Sequence, residues 1–178
     1  MIGARNYDII GVNNMATVSV ILPIYNAEPY LRQCLDSIKD QTLRDLEIIC
    51  VNDGSTDGSL SIMNEYAAMD DRFVVLDKPN GGYGHSLNYG MVHAKGEYLA
   101  IVEPDDFIDS HMYEDLYSAA CSVGEEKKAD IVKGGYWEYY DPKDGYEASL
   151  LTSNLLRFMP KIPCVLTLKE RCEALCHH

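Results

Sequence analysis

Residues 17–58 read TVSVILPIYNAEPYLRQCLDSIKDQTLRDLEIICVNDGSTDG, and this stretch predicts a strand, a helix and a second strand. The first strand is the run TVSVIL, which is rich in β-branched residues and is ended by Pro23. Asn26 can then cap a helix that carries Pro29 in its first turn. The apolar residues of this helix recur at a spacing of three or four: Leu31, Cys34, Leu35 and Ile38. The second strand, Leu46–Val51, completes a unit that predicts parallel strand pairing.

The same alternation continues to about residue 139. The predicted elements are a helix at Ser59–Met69, a strand at Phe73–Leu76, a glycine-led helix from Gly81 that Gly96 stops, a strand at Tyr98–Val102, a helix at His111–Val123 and a strand from Ile131 to about Tyr139. The glycine-led helix should bury Tyr83, Leu87, Met91 and Ala94. Near-continuous apolar strands between amphipathic helices predict an α/β fold with a parallel sheet covered on both faces. A turn-rich loop at Asp141–Tyr146 and a capping box at Thr167–Glu170, opening a short last helix, complete the prediction.

Composition excludes several classes of function. The longest near-apolar stretch, Ala16–Tyr25, has ten residues, whereas a helical membrane span needs about 20. The net charge of −13 argues against nucleic-acid binding, because a chain this acidic is repelled by phosphate backbones. An acidic protein that handles a phosphorylated ligand needs a metal cation or backbone N–H groups to mediate the contact.

The first residues of the chain and its cysteines predict a cytoplasmic protein. Residues 1–15 are polar and irregular, lack the pattern of a signal peptide, and are predicted to be an extension. The six cysteines form no CxxC pair and have no regular spacing, which favours reduced thiols. Cys34 and Cys50 lie within apolar patterns and are predicted to be small buried hydrophobic residues.

Three polar loops follow predicted strands: residues 23–28, 52–58 and 103–106. Because the carboxyl ends of parallel strands meet at one edge of a sheet, these loops should face one cleft. The last of them, Glu103-Pro104-Asp105-Asp106, contains three mutually repelling carboxylates, the oxygen ligands that Mg²⁺ or Mn²⁺ prefers. The alternative is an acidic turn that caps the next helix.

The other loops suggest a nucleotide. Asp53 ends its strand, where its carboxylate can accept an N–H of a bound base, and Asp57 is expected to cap the following helix. Position 12 of a calcium loop starting at Asp53 would be Asn64 rather than glutamate, which disfavours that reading. The segment Asn80–His85 has neither P-loop nor dinucleotide spacing. It is predicted to bring N–H groups close to an anion, with His85 as a phosphate or sugar contact; an ordinary turn into a helix is the alternative.

The aromatic residues after residue 135 leave two interpretations open. Tyr136, Trp137, Tyr139 and Tyr140 could line a sugar pocket, because carbohydrates stack on aromatic faces. A strand packed in a core or at a dimer contact fits them equally well.

Four motifs together resemble a known family. They are VSVILPIYNAEPYLRQCLDSI from Val18, LEIICVNDGSTDGS from Leu46, NGGYGHSLNYGM from Asn80 and GEYLAIVEPDD from Gly96. In this order they resemble the family-2 type of nucleotide-sugar glycosyltransferases, and the match runs from about Val18 to Tyr117. The resemblance implies the GT-A fold, a Rossmann-like three-layer α/β/α arrangement with a mainly parallel central sheet.

The resemblance also implies roles for particular residues. Pro23, Tyr25, Asn26 and Glu28 would lie against the nucleobase and ribose, and Asp53 would bind the base, in this family most often uracil.

Further along the chain, Gly82 would frame the nucleotide near the ribose and diphosphate. Leu87 stands where the family often has Arg before Asn88, and His85 is a candidate for the basic contact; Asn88 joins the predicted donor contacts.

The acidic loop stands where the family has its Asp-x-Asp motif. Glu103, a longer side chain than the usual Asp, would approach the ribose. Asp105 would hold the Mn²⁺ or Mg²⁺ that bridges the diphosphate, with Asp106 as a neighbouring support.

The resemblance predicts an enzyme of the hexosyltransferase kind. It would transfer a sugar from a nucleotide-diphospho-sugar, with UDP as the expected nucleotide, to an acceptor hydroxyl on a saccharide or lipid-linked molecule, with inversion and with a divalent metal. The expected setting is surface polysaccharide or glycolipid synthesis in the cytoplasm, at the inner face of the membrane, with peripheral membrane association of the full-length enzyme. The catalytic base is not assigned.

Domain organisation follows from the same comparison. We expect an extension at residues 1–15, a nucleotide-sugar-binding core at 16–135 and the start of an acceptor half at 136–178. The chain would then be the N-terminal part of a longer enzyme. The alternative function is a donor-binding module without transferase activity in this form. A nucleotidyltransferase is disfavoured, since the loop 23–26 is neither glycine-rich nor basic.

Overall fold

A computed structural model describes residues 2–3, 16–122, 128–134, 136–138, 149–151 and 164–166. The chain divides into two compact units, residues 1–114 and 115–178. In the described part of the chain, no helix combines the length and the apolar character that a bilayer crossing requires.

The first unit is built on a five-stranded sheet. Its elements are β1 (Ile2–Gly3), β2 (Val18–Ile24), α1 (Glu28–Lys39), β3 (Leu46–Asp53), α2 (Ser59–Met69), β4 (Phe73–Lys78), α3 (Tyr83–His93), β5 (Tyr98–Ile101) and the start of α4 (Met112–Cys121). The strand order is β4-β3-β2-β5-β1. Strands β2 to β5 pair in parallel and the short β1 runs antiparallel to β5. The alternation of parallel strands and helices confirms the α/β fold class.

The core lies around the two central strands. Every residue of β2 is buried, and β3 is buried except at Glu47. Leu31, Leu35 and Ile38 of α1 are fully buried, as their spacing predicted. Cys34 and Cys50 are buried free thiols, which confirms their prediction as small hydrophobic residues.

The first strand is longer than predicted, because Pro23 does not end it. Pro23 pairs in register with Val51, and the strand continues to Ile24. The Ile21 carbonyl accepts the Val102 N–H on the β5 side, and Pro23, two residues on, faces the same side. The pairing of β2 with β5 ends at Ile21, so no partner strand requires the N–H that proline lacks.

Helix α3 buries a different face from the predicted one. Leu87 and Ala94 pack on the core, but Tyr83 is 50% exposed and Met91 is 36% exposed. The buried positions are Ser86 and Gly90. A Cβ at Gly90 would lie 2.5 Å from Ile21 Cγ2, so the small residues allow the helix to approach the sheet closely. A search for large apolar residues cannot identify such a face.

In the second unit, the prediction of a single strand from Ile131 to about Tyr139 is wrong, because two short strands occupy this segment. Strand β6 (Ile131–Lys133) pairs antiparallel with β9 (Cys164–Leu166), and β7 (Tyr136–Glu138) pairs antiparallel with β8 (Ser149–Leu151). Gly134 separates β6 from β7, and glycine is a weak strand former. The predicted loop 141–146, the capping box and the side chains of Tyr136, Trp137, Tyr139 and Tyr140 lie outside the described residues.

Candidate functional site

The carboxyl edge of the first unit's sheet gathers four loops. They follow β2, β3, β4 and β5 and comprise residues 25–27, 54–58, 79–82 and 102–111. Because the four strands run in parallel, their following loops emerge on one side. Except for Asn88, which lies in the second turn of α3, the residues predicted to bind a nucleotide sugar lie in these loops, at the ends of the adjoining strands or in the first turns of the following helices.

The loops after β2 and β3 are joined through Asn26. Its backbone is in the left-handed region, with φ of 49°. Its side-chain Oδ1 accepts the Thr56 N–H at 2.8 Å, and its own N–H donates to Ser55 Oγ at 3.1 Å. The prediction that Asn26 caps α1 is therefore wrong: Ala27 occupies the cap position without a side-chain bond, because the Asn26 side chain is engaged by the neighbouring loop.

Asp57 supplies the side-chain hydrogen bond that the cap residue of α1, Ala27, does not make. Its Oδ2 accepts the Glu28 N–H at the start of α1, and its Oδ1 accepts the Ser59 N–H at the start of α2, both at 3.0 Å. Partial burial acts to raise the pKa of Asp57, but the hydrogen bonds from Ser59 and Glu28 outweigh it and hold the pKa below its usual range. Glu28 returns the contact, since its Oε2 accepts the Gly58 N–H at 2.7 Å.

Asp53 is the most deeply placed carboxylate of the edge. It forms an ion pair with Lys78 in which each side chain is only 6% exposed. Its Oδ1 also accepts the Gly81 N–H at 2.8 Å, and its Oδ2 accepts the Gly82 N–H at 2.9 Å. Burial opposes ionisation, but Lys78 and the two glycine N–H groups together lower the pKa of Asp53. The N–H groups of the glycine-rich loop, which were predicted to approach an anion, therefore bind the Asp53 carboxylate of the chain itself.

The glycine-rich loop leads directly into α3. Gly82 has φ of +85°, a conformation that a residue with a Cβ rarely adopts, and its carbonyl accepts the Ser86 N–H at 3.1 Å. The next residue, Tyr83, donates its hydroxyl to Glu103 Oε1. This bond, followed by burial, raises the pKa of Tyr83 to about 12. The loop is therefore attached to Asp53 on one side and to Glu103 on the other.

The acidic loop after β5 is a tight turn. The Asp106 N–H donates to the Glu103 carbonyl at 3.1 Å, and that carbonyl also accepts the Cys34 thiol at 3.5 Å. Partial burial and the neighbouring Asp105 raise the pKa of Asp106. Burial, followed by the charges of Asp106 and Asp105, raises the pKa of Cys34 to about 12. The turn thus carries concentrated negative charge.

These carboxylates suit a hard cation that shares its coordination with a substrate. Asp105 and Asp106 are exposed oxygen donors, and Glu103 is half-buried. Among the described residues, no group of three or more His, Cys, Asp or Glu is arranged to hold a metal alone. Mg²⁺ and its analogues are commonly held by one or two carboxylates plus substrate phosphates, which fits this turn.

The remaining predicted residues lie around this edge. Tyr25 is 53% exposed at the end of β2, while Pro23 is buried in the strand. His85 and Asn88 are exposed on α3, and the His85 ring stacks near Tyr89 with centroids 6.4 Å apart.

Sequence reasoning missed three residues of the site's framework: Lys78, Tyr83 as a polar contact, and Gln41. Lys78 was missed because β4 was predicted to end at Leu76, two residues too early. The basic residue just before the glycine-rich loop was the available signal. Gln41 is fully buried in the connection after α1, where a polar residue is normally expected to be exposed.

Comparisons with known proteins agree with this architecture. The model of glycosyl transferase family 2 matches residues 19–175. An uncharacterized glycosyltransferase, EpsJ of Bacillus subtilis (strain 168), is 38% identical over 145 residues, which are 82% of this chain and 41% of EpsJ. The poly(ribitol-phosphate) beta-glucosyltransferase of Bacillus spizizenii is 39% identical over 121 residues, which are 66% of this chain and 18% of that enzyme.

A solved structure is also similar. The crystal structure of S. aureus TarS 1–349 in complex with UDP has a TM-score of 0.54 and 29% sequence identity, covering 60% of this chain and 32% of that chain. The chain thus spans less than half the length of the relatives it matches. Because the family model covers most of the sequence and the mainly parallel sheet with alternating helices is similar to the TarS structure, this chain belongs to glycosyltransferase family 2 and has the GT-A fold.

Proposed function

We propose that this chain is the donor-binding part of an inverting, metal-dependent glycosyltransferase that uses a UDP-sugar. The observation that carries the proposal is the connection of the ends of three strands, β3, β4 and β5, through the glycine-rich loop and the Tyr83 that follows it. Asp53 at the end of β3 binds Gly81 and Gly82, and Tyr83 binds Glu103 after β5. The similarity to TarS in complex with UDP supports UDP as the nucleotide.

In this proposal the nucleoside lies along the sheet edge. Tyr25 and the loop through Asn26 and Glu28 border the base, and Asp53 faces it from the end of β3. Asp53 already accepts hydrogen bonds from Lys78, Gly81 and Gly82. Its Oδ2 accepts only one of them, so the second lone pair of this oxygen accepts the N–H of the base. Gly82 borders the ribose and diphosphate. Glu103 keeps its contact with Tyr83 through Oε1 and accepts a ribose hydroxyl through its other carboxylate oxygen.

The residues of the acidic turn and of α3 surround the diphosphate. Asp105, supported by Asp106, would hold Mn²⁺ or Mg²⁺, and the exposed His85 and Asn88 border the same region. When bound, the metal supplies Lewis-acid stabilisation of the departing diphosphate. The acceptor hydroxyl, deprotonated by a base that is not assigned, attacks the anomeric carbon from the face opposite the nucleotide as the bond from that carbon to the diphosphate breaks, which inverts the configuration.

The wider assignment rests on relatives. We propose residues 16–135 as the nucleotide-sugar-binding core and 136–178 as the start of the acceptor half. We also propose a saccharide or lipid-linked acceptor in surface polysaccharide or glycolipid synthesis; the poly(ribitol-phosphate) beta-glucosyltransferase relative supports a polymeric acceptor. We place that synthesis in the cytoplasm, at the inner membrane face, where free thiols such as Cys34 and Cys50 remain reduced.

Calorimetric titration of UDP in the presence of Mn²⁺ tests the proposal. Micromolar binding that collapses with EDTA and with Asp105→Ala is expected. The matched control is Asp71→Ala, which removes an exposed carboxylate at the opposite edge of the sheet and should bind UDP like the wild type. If UDP fails to bind, GDP and then TDP are titrated, and failure of all three contradicts a donor site in this chain.

The second candidate is a donor-binding module that does not transfer sugar. The chain covers 41% of EpsJ and 18% of the glucosyltransferase, so the transfer activity of a whole enzyme is itself a proposal for this chain. Release of UDP from UDP-glucose or UDP-GlcNAc, measured with a ribitol-phosphate polymer as the acceptor, separates the two. Donor binding without acceptor-dependent release supports the module, whereas acceptor-dependent release supports the transferase.

A further inference from the structure

We propose that Lys78 is a positioning residue of the donor site, acting through Asp53 on the glycine-rich loop. The inference rests on the proposed function above. Lys78 is the last residue of β4 and pairs in register with Asp53, the last residue of β3. Its ammonium contacts Asp53 Oδ1 and donates to the Pro79 carbonyl at 3.1 Å. With each side chain 6% exposed, the pair is almost completely removed from water.

The ion pair with Lys78 keeps the Asp53 carboxylate ionised and therefore able to accept strong hydrogen bonds. A buried carboxylate without a compensating charge is costly and tends to take up a proton. The Lys78 ammonium offsets that cost and keeps Asp53 ionised, which makes both of its oxygens strong acceptors. Those oxygens receive the N–H groups of Gly81 and Gly82.

The geometry of the loop depends on these two bonds. Gly82 has φ of +85°, and apart from its chain neighbours no heavy atom lies within 4 Å of the place where its Cβ would be. Its carbonyl is held by Ser86 from within α3, whereas its N–H is held by the Asp53 carboxylate at the end of β3. Gly82 is also the cap position of α3, and Tyr83, the first residue of that helix, reaches Glu103. Loss of the Lys78 charge would therefore loosen both the glycine-rich loop and the hydrogen bond from Tyr83 to Glu103 in the acidic turn.

Lys78→Met is the primary variant, because methionine keeps most of the length and removes the charge. We expect its UDP affinity in the presence of Mn²⁺ to fall by about tenfold, and Lys78→Arg to recover most of that loss. The control is Lys95→Met, which makes the same change in net charge at an exposed site away from the loops. It should bind UDP like the wild type. A folded Lys78→Met protein with the affinity of Lys95→Met overturns the proposal.

A double-mutant comparison separates positioning from direct contact and remains informative if Lys78→Met does not fold. Asp53→Asn with Lys78→Met leaves no unpaired buried charge. If Lys78 acts through Asp53, adding Lys78→Met to Asp53→Asn changes UDP affinity by no more than about twofold. A further loss of about tenfold in that background would mean that Lys78 contacts the nucleotide directly, which overturns the proposal.

Amide hydrogen exchange provides a readout that requires no nucleotide. The Gly81 and Gly82 N–H groups should exchange at least about tenfold faster in Lys78→Met than in the wild type and in Lys95→Met. Unchanged exchange at both glycines overturns the positioning role. If the wild-type chain binds none of UDP, GDP and TDP, the proposed function fails while this experiment still decides whether Lys78 holds the loop.

Discussion

Glu28 and Asp57 cap each other's helices. The Asp57 carboxylate accepts the Glu28 N–H at the start of α1 at 3.0 Å, and the Glu28 carboxylate accepts the N–H of Gly58, which precedes α2, at 2.7 Å. A Cβ at Gly58 would lie 2.6 Å from Glu28 Oε1, so glycine leaves the room that this exchange requires. The two loops that border the proposed base site are thereby held together independently of any ligand.

Asp57→Ala should lower the free energy of unfolding by about 2 kcal/mol. Although Ala27 and Gly58 occupy the cap positions, Asp57 accepts the first N–H of each helix, and each such hydrogen bond contributes about 1 kcal/mol. Urea denaturation at neutral pH measures the change. Ser55→Ala removes a single bond in the same loop, to the Asn26 N–H, and should cost clearly less. Equal losses for the two variants would show that Asp57 does not cap both helices.

The Asp57 caps should also depend on pH. The pKa of Asp57 is lower in the folded protein than its ordinary value, so the caps stabilise the fold above the unfolded-state pKa. Their contribution is lost as pH falls through the folded-state pKa, that is, below about pH 4. Asp57→Ala should therefore differ less from the wild type in Tm at pH 2 than at pH 7. A constant difference would contradict the assignment.

Gly90→Ala should destabilise the protein by about 1–3 kcal/mol, because the new Cβ would meet Ile21 Cγ2 at 2.5 Å in a packed core. The displacement of α3 should also weaken UDP binding, since that helix begins at the glycine-rich loop. Gly84→Ala is the control on the same helix: nothing lies within 4 Å of its Cβ position. Gly84→Ala should leave Tm unchanged or raise it slightly, and similar destabilisation by both variants would refute the packing argument.

Tyr83→Phe should weaken UDP binding by about threefold to tenfold with little change in Tm, because it removes one hydrogen bond to a charged group at a half-exposed site. Calorimetry at constant Mn²⁺ measures the affinity. Tyr30→Phe, at a residue 58% exposed on α1, is the matched control. Tighter UDP binding by Tyr83→Phe would show instead that the tyrosine competes with the nucleotide for Glu103.

Gln41→Ala should cost about 2–4 kcal/mol of unfolding free energy. Gln41 is fully buried, donates to the Asp109 carbonyl at 2.6 Å and accepts the Tyr113 N–H at 3.1 Å. The substitution leaves both backbone groups without this partner and opens a cavity. Gln33→Ala, at an exposed position of α1, should change stability by less than about 0.5 kcal/mol. Comparable losses of unfolding free energy in the two variants would show that the hydrogen bonds of Gln41 to Asp109 and Tyr113 do not stabilise the fold.

Much of the fold could be predicted because its signals are local. The apolar run before Pro23 and the spacing of Leu31, Leu35 and Ile38 specify a strand and a helix without reference to distant residues. Burial of both central strands follows from their lack of polar alternation. The face of α3 could not be predicted in this way, since its buried positions are Ser86 and Gly90 and the reason lies in the closeness of Ile21.

The sequence by itself determined the α/β alternation and the placing of acidic loops at the carboxyl ends of parallel strands. Only the tertiary structure decided the partners of each carboxylate. Asp53 meets Lys78 because β3 and β4 pair in a register that aligns their last residues, and Asp57 meets Glu28 because two loops about 30 residues apart emerge side by side. Such contacts depend on strand register and loop proximity, which no local pattern of residues specifies.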